Sequence, residues 1–225
     1  RSMAYLVAVD ALGGDRAPEE IVAGALAAAT HSIAPILFGP AGLDTGGLPL
    51  VETTEVVEMD DHAVEAVRAK PDSSLVRAVR AVADGEAHAV VSAGSTGAML
   101  AASLFHLRRL QGVHRPAIAV VLPARNGPSV LIDAGANADA RPEHLLQFAH
   151  MGTVFAREIL GKDEPRVRLL SIGGEDEKGN ALTLEANELL RASSLPFAWN
   201  VESRGLLEGE ADVVVCDGFT GNVAL

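Results

Sequence analysis

The run Val90-Val91-Ser92-Ala93-Gly94-Ser95-Thr96-Gly97-Ala98-Met99-Leu100 joins a short apolar stretch to a helical pattern through two glycines. Ala89-Val90-Val91 reads as a short buried strand, and Ser95 or Thr96 as the cap of the helix that follows. Such a junction aims free backbone N–H groups into one small space, and the helix dipole adds partial positive charge there. The chemistry on offer is anion binding, with phosphate the usual guest. Three more junctions place an acid at the end of an apolar run with glycine just after it. They are Val9-Asp10-Ala11-Leu12-Gly13-Gly14, Ile132-Asp133-Ala134-Gly135-Ala136-Asn137 and Cys216-Asp217-Gly218-Phe219-Thr220-Gly221-Asn222. A fifth loop, Gly173 to Asn180, carries Lys178. Each loop alone is ordinary turn chemistry, since Asp, Asn and Gly are common turn residues. Five of a kind point to a shared site.

The elements that must position these loops follow from the hydrophobic pattern. Strands are expected at Tyr5–Val9, Pro35–Phe38, Leu50–Val57, Ala89–Val91, Ala117–Leu122, Ser129–Ile132, Val167–Ile172, Phe197–Val201 and Asp212–Cys216. Between them lie helical patterns. One is opened by Pro18 with Glu19 and Glu20 in its first turn, and its expected buried stripe is Ile21, Val22, Ala25, Leu26 and Ala29. Others run over Asp60–Ala69, from the Asp72-Ser73 cap, over Ser95–Leu110, from near Pro142 to Gly161, and through Leu182, Ala186, Leu189 and Leu190. Arg125-Asn126-Gly127-Pro128 has turn chemistry, so the two strands that flank it are expected to pair antiparallel. The alternation of strands and helices implies an α/β fold, a largely parallel, doubly wound sheet with helices on both faces, in one domain over residues 1–225. In such sheets the ligand crevice lies beyond the carboxyl ends of the strands, where all five loops fall.

Composition sets bounds. Of 225 residues, 48% are apolar but only 4% aromatic, which suits a core of Val, Leu, Ile and Ala. The formal net charge of −12 argues against a nucleic-acid partner, whose affinity rests on clustered Lys and Arg. The single cysteine, Cys216, excludes a disulfide framework within the chain and fits a reducing, cytoplasmic compartment. It sits in an apolar strand and reads as a small core residue, not a nucleophile. Arg1-Ser2 ahead of Met3 reads as a cloning remnant, which leaves 3–225 as native. The apolar stretch Ala98–Leu107 is too short for a span of about 20 residues. No Gly-x-Gly-x-x-Gly follows the first strand, which argues against a dehydrogenase.

Taken together, the loops resemble those of the phosphate acyltransferase (PlsX) family, which makes acyl phosphate from acyl-acyl carrier protein and inorganic phosphate for phospholipid synthesis. The matching text is Ala8–Asp15, Val91–Ala98, Asp133–Asp139, Pro142–Leu145, Glu177–Asn180 and Asp217–Val223, in order along nearly the whole chain. The resemblance implies a fold similar to that of isocitrate and isopropylmalate dehydrogenases. It also implies a homodimer, no metal or organic cofactor, acyl carrier protein and phosphate as partners, and peripheral attachment to a membrane. Ser95, Arg16 and Gly174 stand where the family text usually has Asn, His and an acid. Family chains run on beyond Leu225, so the C-terminal part of the family fold is expected to lie outside this sequence.

That reaction needs little from the protein beyond positioning. Phosphate is already an oxygen nucleophile near pH 7, and a thiol with a pKa of about 8.5 leaves readily. The protein must hold phosphate, place the thioester beside it and stabilise the tetrahedral oxyanion. Phosphate is expected at Gly94, Ser95, Thr96 and Gly97 and at Gly221 and Asn222, with Lys178 as a point charge. Asn137 is expected to donate to the thioester oxygen. His144 either protonates the departing thiol or orients a neighbour. Asp10, Asp133 and Asp217 hold the loops, since anions repel. Lys178 also reads as a solvated loop lysine, and the Asp cluster as a divalent-ion site. Arg108, Arg109, His114 and Arg115 are the best basic cluster for docking an acidic carrier protein, or else a complement to a helix C-terminus. Two other functions stay open: a phosphotransacetylase-like enzyme acting on acyl coenzyme A, and a non-catalytic module that binds acyl carrier protein.

Overall fold

The structure is a computed structural model and describes residues 4–225, so the reading of Arg1-Ser2 lies outside the described residues. The sequence reads as one domain. The structure groups into two compact units, Arg1–Arg108 and Arg109–Leu225, each with its own sheet. Hydrophobic periodicity marks strands but not their partners, so it could not show the strands sorting into two sets.

The first unit carries β1 (Tyr5–Asp10), β2 (Ile33–Gly39), β3 (Leu50–Glu52) and β4 (Ala89–Val91), all parallel, in the order β3-β2-β1-β4. Its helices are α1 (Glu19–Ala28), α2 (Ala63–Ala69), α3 (Ser74–Ala83) and α4 (Thr96–His106). Three expectations need correction here. β3 stops at Glu52, and the chain beyond it makes only a bridge from Glu55 to Ser73. β4 is not buried, because it is the sheet's edge and Ala89 and Val91 are exposed. In α1 only Val22 and Ala25 of the expected stripe are fully buried. Leu26 turns outward, onto the Gly46 loop, where a Cβ would meet its side chain.

The second unit carries β5 (Ala119–Leu122), β6 (Ser129–Ile132), β7 (Val167–Leu170), β8 (Phe197–Val201) and β9 (Val213–Val215), in the order β5-β6-β9-β7-β8. β5 and β6 pair antiparallel, as the Asn126-Gly127 turn implies, and the other pairs are parallel. Helices α5 (Pro142–Glu158), α6 (Ala181–Ala192) and α7 (Gly218–Ala224) complete it. Every residue of β6 and β9 is buried, because both faces of the sheet are covered. Val130, Ile132, Val213 and Val215 pack with Leu145, Phe148 and Leu190 from α5 and α6. The alternate residues Leu131 and Val214 face Val201, Leu206 and Cys216 on the other side. At Gly152 the helix α5 comes so near the sheet that a Cβ would lie 2.5 Å from Val213 Cγ1.

Candidate active site

In the first unit, strand β1 delivers Asp10 to the carboxyl end of the sheet, where it is 3% exposed. Its Oδ1 accepts from Ser74 Oγ at 2.5 Å, and its Oδ2 accepts from Ser92 Oγ at 2.7 Å. Ser92 Oγ in turn accepts from Gly94 N–H at 3.1 Å. One carboxylate thus ties the start of α3 to the turn after β4. Glycine is needed where these loops meet. A Cβ on Gly13 would lie 2.9 Å from Gly94 N, and one on Gly94 would lie 3.2 Å from Gly13 Cα. Ser95 caps α4, accepting from Ala98 N–H at 3.3 Å. The N–H groups of Thr96 and Gly97 fall in the first turn, where a helix offers them no acceptor. The turn therefore has the geometry of an anion cradle. Gly97 has a second use, since its Cβ position lies 3.3 Å from Ala63 Cβ, where α4 lies against α2.

In the second unit, β6 delivers Asp133, which is fully buried. Five N–H donors surround it. Oδ1 accepts from the backbone of Ile118, Gly135 and Ala136, at 3.1, 3.2 and 2.9 Å. Oδ2 accepts from the backbone N–H and the side-chain amide of Asn137, each at 2.8 Å. The amide of Asn137 also donates to the Pro116 carbonyl at 2.7 Å. Both its protons are therefore committed and it is 8% exposed. In this geometry Asn137 braces the Asp133 loop against Pro116. Its short amide and the turn around it signalled a functional donor, but the same features make a good brace.

His144 lies in the first turn of α5, 8% exposed. Its Nδ1 accepts the Arg141 N–H at 3.1 Å, which leaves the ring proton on Nε2 in the neutral form. Burial pushes its pKa below the usual value. Nearby Arg115, Arg141 and His114 add to the fall, and Glu143 opposes it. The ring is therefore neutral at pH 7 and is a hydrogen-bond donor, not a store of a transferable proton. The edge of His114 meets it with ring centres 6.3 Å apart.

Asp217 caps α7, accepting from Thr220 N–H at 2.9 Å and Thr220 Oγ1 at 2.6 Å. Gly218 and Gly221 let this helix approach the Asp133 loop. A Cβ on Gly218 would lie 2.7 Å from Asn137 N, and one on Gly221 would collide with the Asp133 carbonyl oxygen. Asn222 is exposed, and its amide faces Gly135, whose φ is +136°. Gly221 thus serves close packing, and the acidic cap at Asp217 makes this end of α7 less favourable for an anion. Cys216 is 2% exposed, and burial pushes its thiol pKa far up, with Asp217 and Asp133 adding to the rise.

Lys178 is exposed on the loop between β7 and α6. Its N–H donates to the Glu175 carbonyl at 3.1 Å, and its own carbonyl accepts from Ser171 Oγ at 2.8 Å. Asn180 then caps α6 in a capping box with Thr183. An open cleft of about 670 Å³ lies beside this loop. Ser171, Asn180, Thr183, Glu202, Asp217 and Thr220 line it, with Leu170, Ile172 and Val223 as apolar wall. The two carboxylates, Glu202 and Asp217, make this cleft unfavourable for an anion. Of the basic residues, Arg108, Arg109 and Arg115 are all exposed, and the Arg109 guanidinium donates to the carbonyls of Val113 and His114. Among the described residues, no three His, Cys, Asp or Glu side chains gather as a metal ion would require.

Two residues that sequence reasoning missed are Asn187 and Asn200, 3% and 2% exposed. Each is polar at a position where the helix or strand pattern calls for an apolar residue, and that was the available signal.

The family described as "Fatty acid synthesis protein" matches residues 5–225. The chain belongs to this family. Its relatives include the phosphate acyltransferase of Desulfitobacterium hafniense (strain DSM 10664 / DCB-2), 53% identical over 230 residues, covering 97% of this chain and 69% of that protein. The phosphate acyltransferase of Heliobacterium modesticaldum is 48% identical with the same coverage. Among solved structures, the EutD phosphotransacetylase from Staphylococcus aureus superposes with a TM-score of 0.70 over 99% of this chain and 80% of that one, at 18% identity. A branched-chain phosphotransacylase from Enterococcus faecalis V583 gives 0.68 over 97% and 82%, also at 18% identity. That likeness shows the α/β fold with mostly parallel sheets. As a member of a fatty acid synthesis family, the chain is a transferase of lipid metabolism.

Proposed function

We propose that the protein transfers the acyl group of an acyl-acyl carrier protein to inorganic phosphate, giving acyl phosphate and the free carrier thiol. The observation that carries this reading is the 53% identity, across 97% of the chain, to a phosphate acyltransferase. A phosphate oxygen attacks the thioester carbonyl and forms the new C–O bond. The tetrahedral oxyanion collapses, the C–S bond breaks, and the thiolate leaves and takes a proton from the attacking hydrogen phosphate or from water. Within the first unit, the turn Gly94–Gly97 offers N–H groups and a helix dipole that favour an anion. Within the second unit, the group directed at phosphate is the Lys178 ammonium. His144 acts as a neutral donor, and Asp10, Asp133 and Asp217 hold loops. The reading includes a homodimer with a peripheral membrane contact. No helix among the described residues is long and apolar enough to cross a membrane.

A coenzyme A-dependent enzyme is the second reading, favoured only by fold likeness to phosphotransacetylases. One assay separates them: phosphate-dependent thiol release by the full-length chain from acyl-acyl carrier protein and from acyl coenzyme A. Faster release from the carrier protein is the expected result. Release from coenzyme A alone would replace the first reading by the second. Release from neither would leave a binding module.

A further inference from the structure

The loop that carries Lys178 is fixed from below by a buried amide pair. Asn187, on the inner face of α6, donates from Nδ2 to Asn200 Oδ1 at 3.0 Å, and Asn200 on β8 donates from Nδ2 to the Glu175 carbonyl at 2.9 Å. That same carbonyl accepts the Lys178 N–H at 3.1 Å. The pair sits beside a core built of Ala186, Leu190 and Leu169 on that face of the sheet. Two apolar side chains would fill that space without the penalty of burying amides. What the amides add is one N–H aimed at the turn that orients Lys178. A second tie, from Arg191 to Asp176 at 2.9 Å with Arg191 over the Trp199 ring, holds the loop's outer side.

We propose that Asn200, oriented by Asn187, is a positioning residue that sets the Lys178 backbone so that its ammonium meets phosphate. The proposal rests on the assignment of Lys178 above. The test is a double-mutant cycle in the full-length chain with Asn200→Ala and Lys178→Ala, reading the KM for phosphate, the KM for the thioester substrate and kcat. Asn200→Ala is expected to raise the phosphate KM about tenfold, the scale of one charge-assisted hydrogen bond, and to leave the thioester KM unchanged. In the Lys178→Ala background it is expected to add nothing. Equal effects of Asn200→Ala in both backgrounds would overturn the proposal. So would an unchanged phosphate KM in Asn200→Ala while Lys178→Ala raises it. If Lys178→Ala itself changes neither KM nor kcat, the assignment of Lys178 fails and this inference falls with it. Should Asn200→Ala unfold, the paired change Asn187→Leu with Asn200→Leu keeps the volume and removes the donor. A wild-type phosphate KM in that variant would refute the positioning role.

Discussion

His144 shows how one hydrogen bond changes a role. A histidine in a helix's first turn beside glycine loops invites the reading of a proton donor. The Arg141 N–H fills its Nδ1 and burial disfavours its charged form, so it works as a neutral ring. A pH dependence follows. In the unfolded chain His144 titrates near the usual value of about 6.5. In the folded chain it titrates lower, so between those two values the unfolded state binds more protons. Its contribution to stability is complete above the unfolded pKa, falls as pH drops through that window, and levels off below the folded pKa. Urea unfolding midpoints measured from pH 7.5 down to pH 5 should fall less steeply in His144→Gln, which keeps an acceptor but cannot titrate. Equal slopes in the two proteins would remove His144 as their source. Asn137 teaches the same lesson from the donor side, since its two protons already serve Asp133 and Pro116.

The strand-to-helix junctions are built from acids that accept and glycines that let backbones touch. Asp10 gathers Ser74 and Ser92, Asp133 gathers five N–H groups, and Asp217 gathers Thr220. Gly221 is the most constrained glycine of the set, with the rigid Asp133 carbonyl where its Cβ would stand. Gly221→Ala should therefore destabilise the protein by about 3 kcal/mol, the upper range for overpacking a tight site. Thermal unfolding reads this directly, and a loss under about 0.5 kcal/mol, the scale of an ordinary surface change, would show that α7 can retreat freely. Much of this layer was legible in the sequence: the acid-then-glycine pattern named the junctions, Pro142 opened α5, Ser95 capped α4, and Asn126-Gly127 foretold the antiparallel pair. What the sequence hid was partnership. The exposure of β4 follows from its place at an edge, which no property of Ala89-Val90-Val91 reveals. The use of Asn137 and the Asn187–Asn200 pair depends on residues far away in the chain.

At the scale of the whole chain, the family match runs from residue 5 to 225 and takes in both units. The quoted motifs are shared out between them, with Asp10 and the Gly94–Gly97 turn in one and Asp133, Lys178 and Asp217 in the other. A net charge of −12 disfavours anions at long range, so local N–H groups and single cations must do the holding. The buried, high-pKa Cys216 gives no nucleophile. The proposed reaction is thus direct attack by phosphate on the thioester, with no acyl group ever resting on the protein. The most direct test mixes the full-length enzyme with acyl-acyl carrier protein in the absence of phosphate, and follows thiol release and the intact mass of the enzyme. No thiol and no added acyl mass are expected until phosphate is supplied. Thiol released in proportion to enzyme, together with an acyl adduct on the chain, would contradict direct attack.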